Sequence, residues 1–335
     1  MGAPADSRIA LTVLGGFLGS GKTTWLRHQL HVGAVEDCVL IVNEAADVPV
    51  DDMLLTRSAD MRVLAGGCAC CTGRERLVAL LRAICDERVG PAAGGRRHDR
   101  IVLETSGLAD PGPIVEVLRD DPVLCHHIML REIVVAVDAL HGLGYLAAEP
   151  LGRRQVETAD RLVITKADAA SPDMLRTLRA TLQTVNPGAS ISASAMGRPA
   201  TLVEIGDAQP ILLPVIGKGD ERPVASTAIT LAPDTDWTAF GLWLSALLHA
   251  RGDDLVRVKG VVRTPSGRLL LQSVRKVVQS PEILPDQIVH GRDENRIVFI
   301  GRGFAPRDLV NSMRRFAGLE AREGASAFPG GHTER

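Results

Sequence analysis

The sequence predicts an α/β fold built on a mostly parallel sheet, followed by a smaller α+β domain. Three observations carry that expectation. Apolar runs of strand length, at 9–14, 38–42, 61–64, 100–103, 133–137 and 161–164, are interspersed with helical patterns as far as about residue 206. The best of them are continuously apolar rather than alternating, as parallel strands covered on both faces require. Beyond residue 206 the rhythm changes to paired strands with few helices.

The first run, Ile9 to Leu14, breaks into glycines and restarts as a helix at Lys22. The turn between them, Gly16-Phe17-Leu18-Gly19-Ser20-Gly21-Lys22-Thr23, fits the pattern G-x-x-x-x-G-K-[ST] of a phosphate loop, with the strand before and the helix after that the motif needs. The domain is therefore expected to be a P-loop NTPase. Glycines let successive backbone N–H groups point inward without Cβ interference. With the positive end of the following helix, those donors make a site for phosphate oxygens. Lys22 is expected to reach the β- and γ-phosphates, and the Thr23 hydroxyl to ligate Mg²⁺.

Composition narrows the field. The 335 residues suffice for two domains, and a hydrophobic content of 45% with only 3% aromatic residues implies a core of Leu, Val, Ile and Ala. A formal net charge of −2 gives no reason to expect nucleic-acid binding. No apolar run approaches the ~20 residues that cross a bilayer, and the opening MGAPADSRIA lacks the features of a signal peptide. Three of the six cysteines fall within four residues, which suits thiolate chemistry in a reducing cytosol better than a disulfide framework. A cytoplasmic protein without membrane partners is expected.

The run at 38–42 ends in Asn43-Glu44, and Glu44 and Asp47 fall on the edge where such sheets bind ligands, or in an ordinary solvated loop. The run at 61–64 leads into Gly66-Gly67-Cys68-Ala69-Cys70-Cys71. Three thiols at i, i+2 and i+3 can converge on one soft metal ion, Zn²⁺ being suited to three sulfurs plus a fourth donor. The alternative is a tight turn of small buried residues. A helix is predicted from Arg74 to Glu87, with Leu77, Leu80, Leu81 and Ile84 on one face.

The run at 100–103 ends in Glu104-Thr105-Ser106-Gly107. A carboxylate there, opposite a phosphate loop, can serve Mg²⁺ or the attacking water, and Gly107 can bring a backbone N–H close to a γ-phosphate. A helix follows from Asp110-Pro111 to Leu118, and the strand at 133–137 is followed by Asp138. Residues 155–159 read as a helix end, and 161–164 as a strand running into Thr165-Lys166-Ala167-Asp168. This tetrapeptide resembles the N-K-x-D guanine box with Thr in first place. Asp168 can accept two hydrogen bonds from guanine, and the Lys166 stem can lie along the base. A helix at 173–182 and a strand at 190–194 complete the domain.

The expected organisation is a GTPase domain at 1–206, a linker at 207–223, an α+β domain at 224–317 and a disordered tail at 318–335. Within the second domain, strands are predicted at 227–231, 255–263, 269–278 and 296–300, with helices opening at Asp236 and Arg307.

The segments GFLGSGKTT, VNE, GGCACC and ETSGLADP, together with DRLVITKAD, resemble the CobW family of GTP-dependent metallochaperones. The resemblance runs across nearly the whole chain. It implies that Gly16, Gly19, Ser20, Gly21, Lys22, Thr23 and Thr24 bind phosphates and Mg²⁺. It also implies that Glu104 and Gly107 form the nucleotide-sensing switch, and that Lys166 and Asp168 read guanine. Cys68, Cys70 and Cys71 would hold the cargo metal, Zn²⁺ or Co²⁺, for a client metalloprotein. Two departures stand out. Ala45-Ala46 replace the usual Phe-Gly, and Val274-Arg275-Lys276-Val277-Val278 replaces a strand that carries histidines in many members. The expected activity is GTP hydrolysis, with Lys22 and Glu104 as catalytic residues. The rivals are a regulatory GTPase with structural cysteines and a P-loop kinase acting on a small molecule.

Overall fold

The computed structural model describes residues 8–35, 37–43, 59–64, 73–89, 98–214, 224–252, 254–265, 267–274, 276–278, 282–284 and 295–323. The described residues form two compact units, 8–214 and 224–323.

In the first unit, β1 (Ile9–Gly15) leads through the glycine-rich turn into α1 (Lys22–His31). Then come β2 (Cys38–Asn43), β3 (Ala59–Leu64), α2 (Arg74–Val89), β4 (Arg100–Glu104), α3 (Gly112–Asp120) and a single turn, α4 (Leu124–His127). The unit closes with β5 (Ile128–Asp138), α5 (Gly142–Ala148), α6 (Pro150–Thr158), β6 (Arg161–Thr165), α7 (Pro172–Val185), β7 (Ser190–Ala195) and β8 (Arg198–Ala200). The sheet order is β3-β2-β4-β1-β5-β6-β7-β8. Every pair is parallel except the last, where β8 turns back on β7. From β1 the chain goes to one side for β2 to β4 and to the other for β5 onward. The crevice beyond the C-terminal end of β1 is therefore the switch point at which open α/β sheets bind ligands.

Apolar strands hold this sheet between two covered faces. Leu14, Leu40, Val42 and Val102 pack with Trp25, Leu26 and Leu30 of α1. Val13, Ile41 and Leu103, of opposite parity, are buried as well. Strand β5 starts five residues before the predicted one. Its register against β1 slips between Leu11 and Thr12, which oppose Leu130 and Glu132. Arg131 is thus an extra, solvent-facing residue that interrupts the apolar pattern. Helix α6 is a full element rather than a helix end, and α4, α5 and β8 are additional to the predicted set.

The second unit contains β9 (Val224–Leu231), α8 (Trp237–Arg251), β10 (Leu255–Thr264), β11 (Gly267–Val274), β12 (Val277–Val278), β13 (Glu282–Leu284), β14 (Arg296–Arg302), α9 (Pro306–Ala317) and β15 (Ala321–Glu323). Its antiparallel sheet has the order β12-β11-β10-β14-β9-β15, with β13 also paired to β11. Asp236 caps α8 by accepting the N–H groups of Thr238 and Ala239. Phe240, Trp243 and Leu244 of α8 and Leu309 and Met313 of α9 pack with Ile229, Val258, Ile297 and Phe299 of the sheet, so both helices cover one face.

Two expectations need correction here. The predicted strand at 269–278 is two strands, because the chain reverses after Val274 and Val277 pairs back on it. The predicted disordered tail begins too early. Gly318, at φ +64, ends α9 in the left-handed region, and the chain then buries Leu319 and Ala321 and pairs β15 with β9.

Candidate functional site

Strand β1 ends where the phosphate loop begins, and the loop's glycines are dictated by space. Gly16 has φ +133, and a Cβ there would lie 2.4 Å from the Ala136 carbonyl oxygen. Gly21, at φ +80, is the N-cap of α1, so the loop closes directly onto the helix N-terminus. Lys22 is buried, and its ammonium donates to the carbonyls of Gly16 (2.9 Å) and Phe17 (3.0 Å). Thr24 follows on the first turn of α1 and is exposed.

Across the crevice stands Glu104, the last residue of β4, which pairs in register with Leu14 of β1 and Val42 of β2. The Thr23 hydroxyl donates to Glu104 Oε1 at 2.6 Å. Burial raises the Glu104 pKa, and the Thr23 hydrogen bond, Lys22 and Arg27 partly oppose that rise. Among the described residues, Glu104 Oε2 and Ser20 Oγ are buried without a hydrogen-bond partner. The unpartnered oxygen of a carboxylate that already meets the Thr23 hydroxyl is a donor suited to a hard cation such as Mg²⁺, directly or through its water.

The turn after β4 rests on the phosphate loop. A Cβ on Gly107 would lie 2.5 Å from the Leu18 nitrogen and 2.7 Å from its Cα, so only glycine permits this approach. Thr105 is fixed by its N–H and its hydroxyl, both donated to the Leu14 carbonyl. From the far side Gln155 of α6 reaches in, donating its amide to the carbonyls of Gly107 and Ala109. The sequence offers no motif for Gln155, which stands among other polar residues of α6.

The base box lies beyond β6. Thr165, in the place usually held by Asn, donates its hydroxyl to the Ser20 carbonyl of the phosphate loop at 2.7 Å. Lys166 takes a left-handed backbone, φ +54, and its ammonium lies 2.6 Å from Asp138 Oδ2 at the end of β5. The other Asp138 oxygen accepts the Leu140 N–H. Ala167 is tied to the Ser194 carbonyl, and Asp168 is exposed. Phosphate loop, Glu104, Gly107 and base box thus meet on one edge of the sheet. Glu44, Asp47, Cys68, Cys70 and Cys71 lie outside the described residues. Among the residues described, no group of three or more His, Cys, Asp or Glu could hold a metal ion, and no helix is long and apolar enough to cross a membrane.

Comparison with known proteins places this edge in context. Residues 10–193 match the model of the CobW/HypB/UreG nucleotide-binding domain, and residues 224–317 match the cobalamin synthesis protein CobW C-terminal domain. The chain is 30% identical over 325 residues to the zinc chaperone YjiA of Escherichia coli, covering 93% of this chain and 98% of that one. It is 28% identical to the zinc chaperone CobW of Pseudomonas aeruginosa, covering 92% and 91%. The crystal structure of a Zn(II)-bound triple mutant of the YjiA GTPase superposes with a TM-score of 0.62 at 26% identity, covering 93% of this chain and 99% of that one. With both halves matched in order and along nearly their full length, the chain belongs to the CobW/HypB/UreG family of nucleotide-binding proteins, in its CobW form with the CobW C-terminal domain.

Proposed function

We propose that this chain is a GTPase that carries a transition metal ion, Zn²⁺ or Co²⁺, on Cys68, Cys70 and Cys71 and hands it to a client metalloprotein. The relatives named as zinc chaperones support the metal and the delivery role. The phosphate loop, Lys22, Thr23 and the base residues Lys166 and Asp168 form the GTP pocket. Thr23 and Glu104 would hold Mg²⁺, which would supply charge neutralisation at the phosphates. Lys22 holds the phosphates, and Glu104 orders the oxygen atoms around Thr23.

The observation that carries this reading is the register at the sheet edge. Leu64, from which the cysteine segment 65–72 departs, pairs with Asn43, and Val42 pairs with Glu104. Leu64, the last described residue before the cysteines, therefore stands beside the strand ends that face the phosphates. Adjacent strands lie about 4.8 Å apart, so β4 is roughly 10 Å from β3. On this reading the metal carried by Cys68, Cys70 and Cys71, which follow Leu64 in the sequence, is held within reach of that edge. Metal held there would sense whether a third phosphate is present.

The reading is tested by replacing Cys68, Cys70 and Cys71 with Ser. Zinc binding in a competitive chelator titration must be lost while GDP affinity stays within about twofold. Unchanged zinc affinity would remove the cysteines from the metal site.

A further inference from the structure

Helix α6 touches neither the phosphate loop nor the base box by any motif, yet it holds the turn after β4 at three points. Gln155, only 1% exposed, donates its amide nitrogen to the Gly107 carbonyl at 3.3 Å and to the Ala109 carbonyl at 2.8 Å. A glutamine amide has two hydrogens, so both donors are committed. Beside it, Arg154 Nε lies 3.3 Å from Asp110 Oδ2. The helix is itself anchored. Fully buried Asn186 donates to the carbonyls of Val156, Glu157 and Ala159 at its C-terminal end, and Asp160 accepts the Ile133 N–H of β5.

The consequence falls on one peptide. The Ser106 carbonyl accepts the Ala109 N–H at 3.0 Å, and a trans peptide then points the Gly107 N–H the opposite way. With the next carbonyls held by Gln155, the turn cannot rotate that N–H without leaving a buried acceptor unpaired. We propose that Gln155 is a positioning residue for the third phosphate. It sets the Gly107 turn so that its N–H is presented to a γ-phosphate, and so makes the pocket distinguish nucleoside triphosphate from diphosphate. This rests on the reading that the phosphate loop binds GTP and that Gly107 senses the γ-phosphate.

The test uses the full chain with Mg²⁺, titrated with GDP and with a non-hydrolysable GTP analogue, in the unmutated protein and in Gln155→Met and Gln155→Glu. Met keeps most of the volume without the donors; Glu keeps the shape but its carboxylate only accepts. Both should bind GDP within about twofold of the parent, since diphosphate contacts do not involve Gly107. Both should bind the analogue about tenfold more weakly, the size of one lost buried hydrogen bond. Circular dichroism of the GDP complexes checks the fold, and Gln155→Met carries the comparison where Gln155→Glu does not fold. If the unmutated protein prefers the analogue and the folded variants prefer it equally, Gln155 is only a packing residue and the inference is overturned while the GTP reading stands. If the unmutated protein binds both nucleotides equally, Gly107 is no γ-phosphate sensor and both fall together.

Discussion

Lys166 Nζ lies 2.6 Å from Asp138 Oδ2, across the parallel register that sets Asp138 beside Thr165. Asp138 is buried to 3% exposure and anchored by the Leu140 N–H, whereas the lysine is half exposed. The carboxylate is therefore the fixed partner and the lysine stem the part it aims. Asp138→Asn should weaken guanosine and inosine nucleotides together, by roughly threefold to tenfold, because Lys166 meets the base plane rather than its edge. If Asp168 is the acceptor for the guanine edge, as proposed, Asp168→Asn should instead reduce the preference for GTP over ATP by at least about tenfold. Competition binding with GTP, ITP and ATP separates the two, and an unchanged GTP:ATP ratio in Asp168→Asn would take Asp168 out of the base site.

Lys22→Ala should lower affinity for GTP and GDP by about a hundredfold or more, because it deletes the buried cation that the phosphates require. Isothermal titration reads this directly. Near-normal affinity would leave the loop without its phosphate role.

Glu104→Gln should cut GTP turnover by about a hundredfold while GDP still binds. The same change should raise the melting temperature of the nucleotide-free, magnesium-free protein at neutral pH. Burial penalises the ionised carboxylate, and the amide oxygen of Gln can still accept from Thr23. A variant that is both less active and less stable would mark Glu104 as a structural residue.

What the sequence revealed follows the range of each interaction. The phosphate-loop pattern at 16–24 and the resemblance to a base box at 165–168 are contiguous and depend on residue types at fixed spacing, so both patterns are visible before any fold is known. Gln155 and Asn186 act on carbonyls 27 to 48 positions away, and no local pattern encodes such a partner. Asp138 was visible only as the residue after a strand, because its role depends on the register of β5 against β6. The first half of β5 was hidden by Arg131 at the register slip, and β15 by the polar composition of the residues around it. The cysteine segment is the reverse case. It is plain in the sequence, and it lies outside the described residues.

Two of the other cysteines, Cys38 and Cys85, give an internal control for thiol chemistry. Burial pushes the thiols of Cys38 and Cys85 up to about 11. At pH 8 only about one in a thousand of each is thiolate, the species that alkylates. Iodoacetamide on the folded protein at that pH should leave Cys38 and Cys85 unmodified, and labelling at either should appear only as the pH rises toward 11. Zinc should protect Cys68, Cys70 and Cys71 from the same reagent, and peptide mass spectrometry counts each site. Rapid labelling of Cys38 at pH 8 would contradict its burial, and labelling of the three clustered thiols indifferent to zinc would contradict the metal site.

The most direct measurement is zinc affinity with a non-hydrolysable GTP analogue and with GDP, each with Mg²⁺, in a competitive chelator titration. If the third phosphate orders the cysteine segment, zinc should bind at least about tenfold more tightly with the analogue, a coupling of about 1.4 kcal/mol. By linkage, zinc must raise analogue affinity over GDP by the same factor. Equal zinc affinity in the two nucleotide states would contradict a GTP-driven metal carrier.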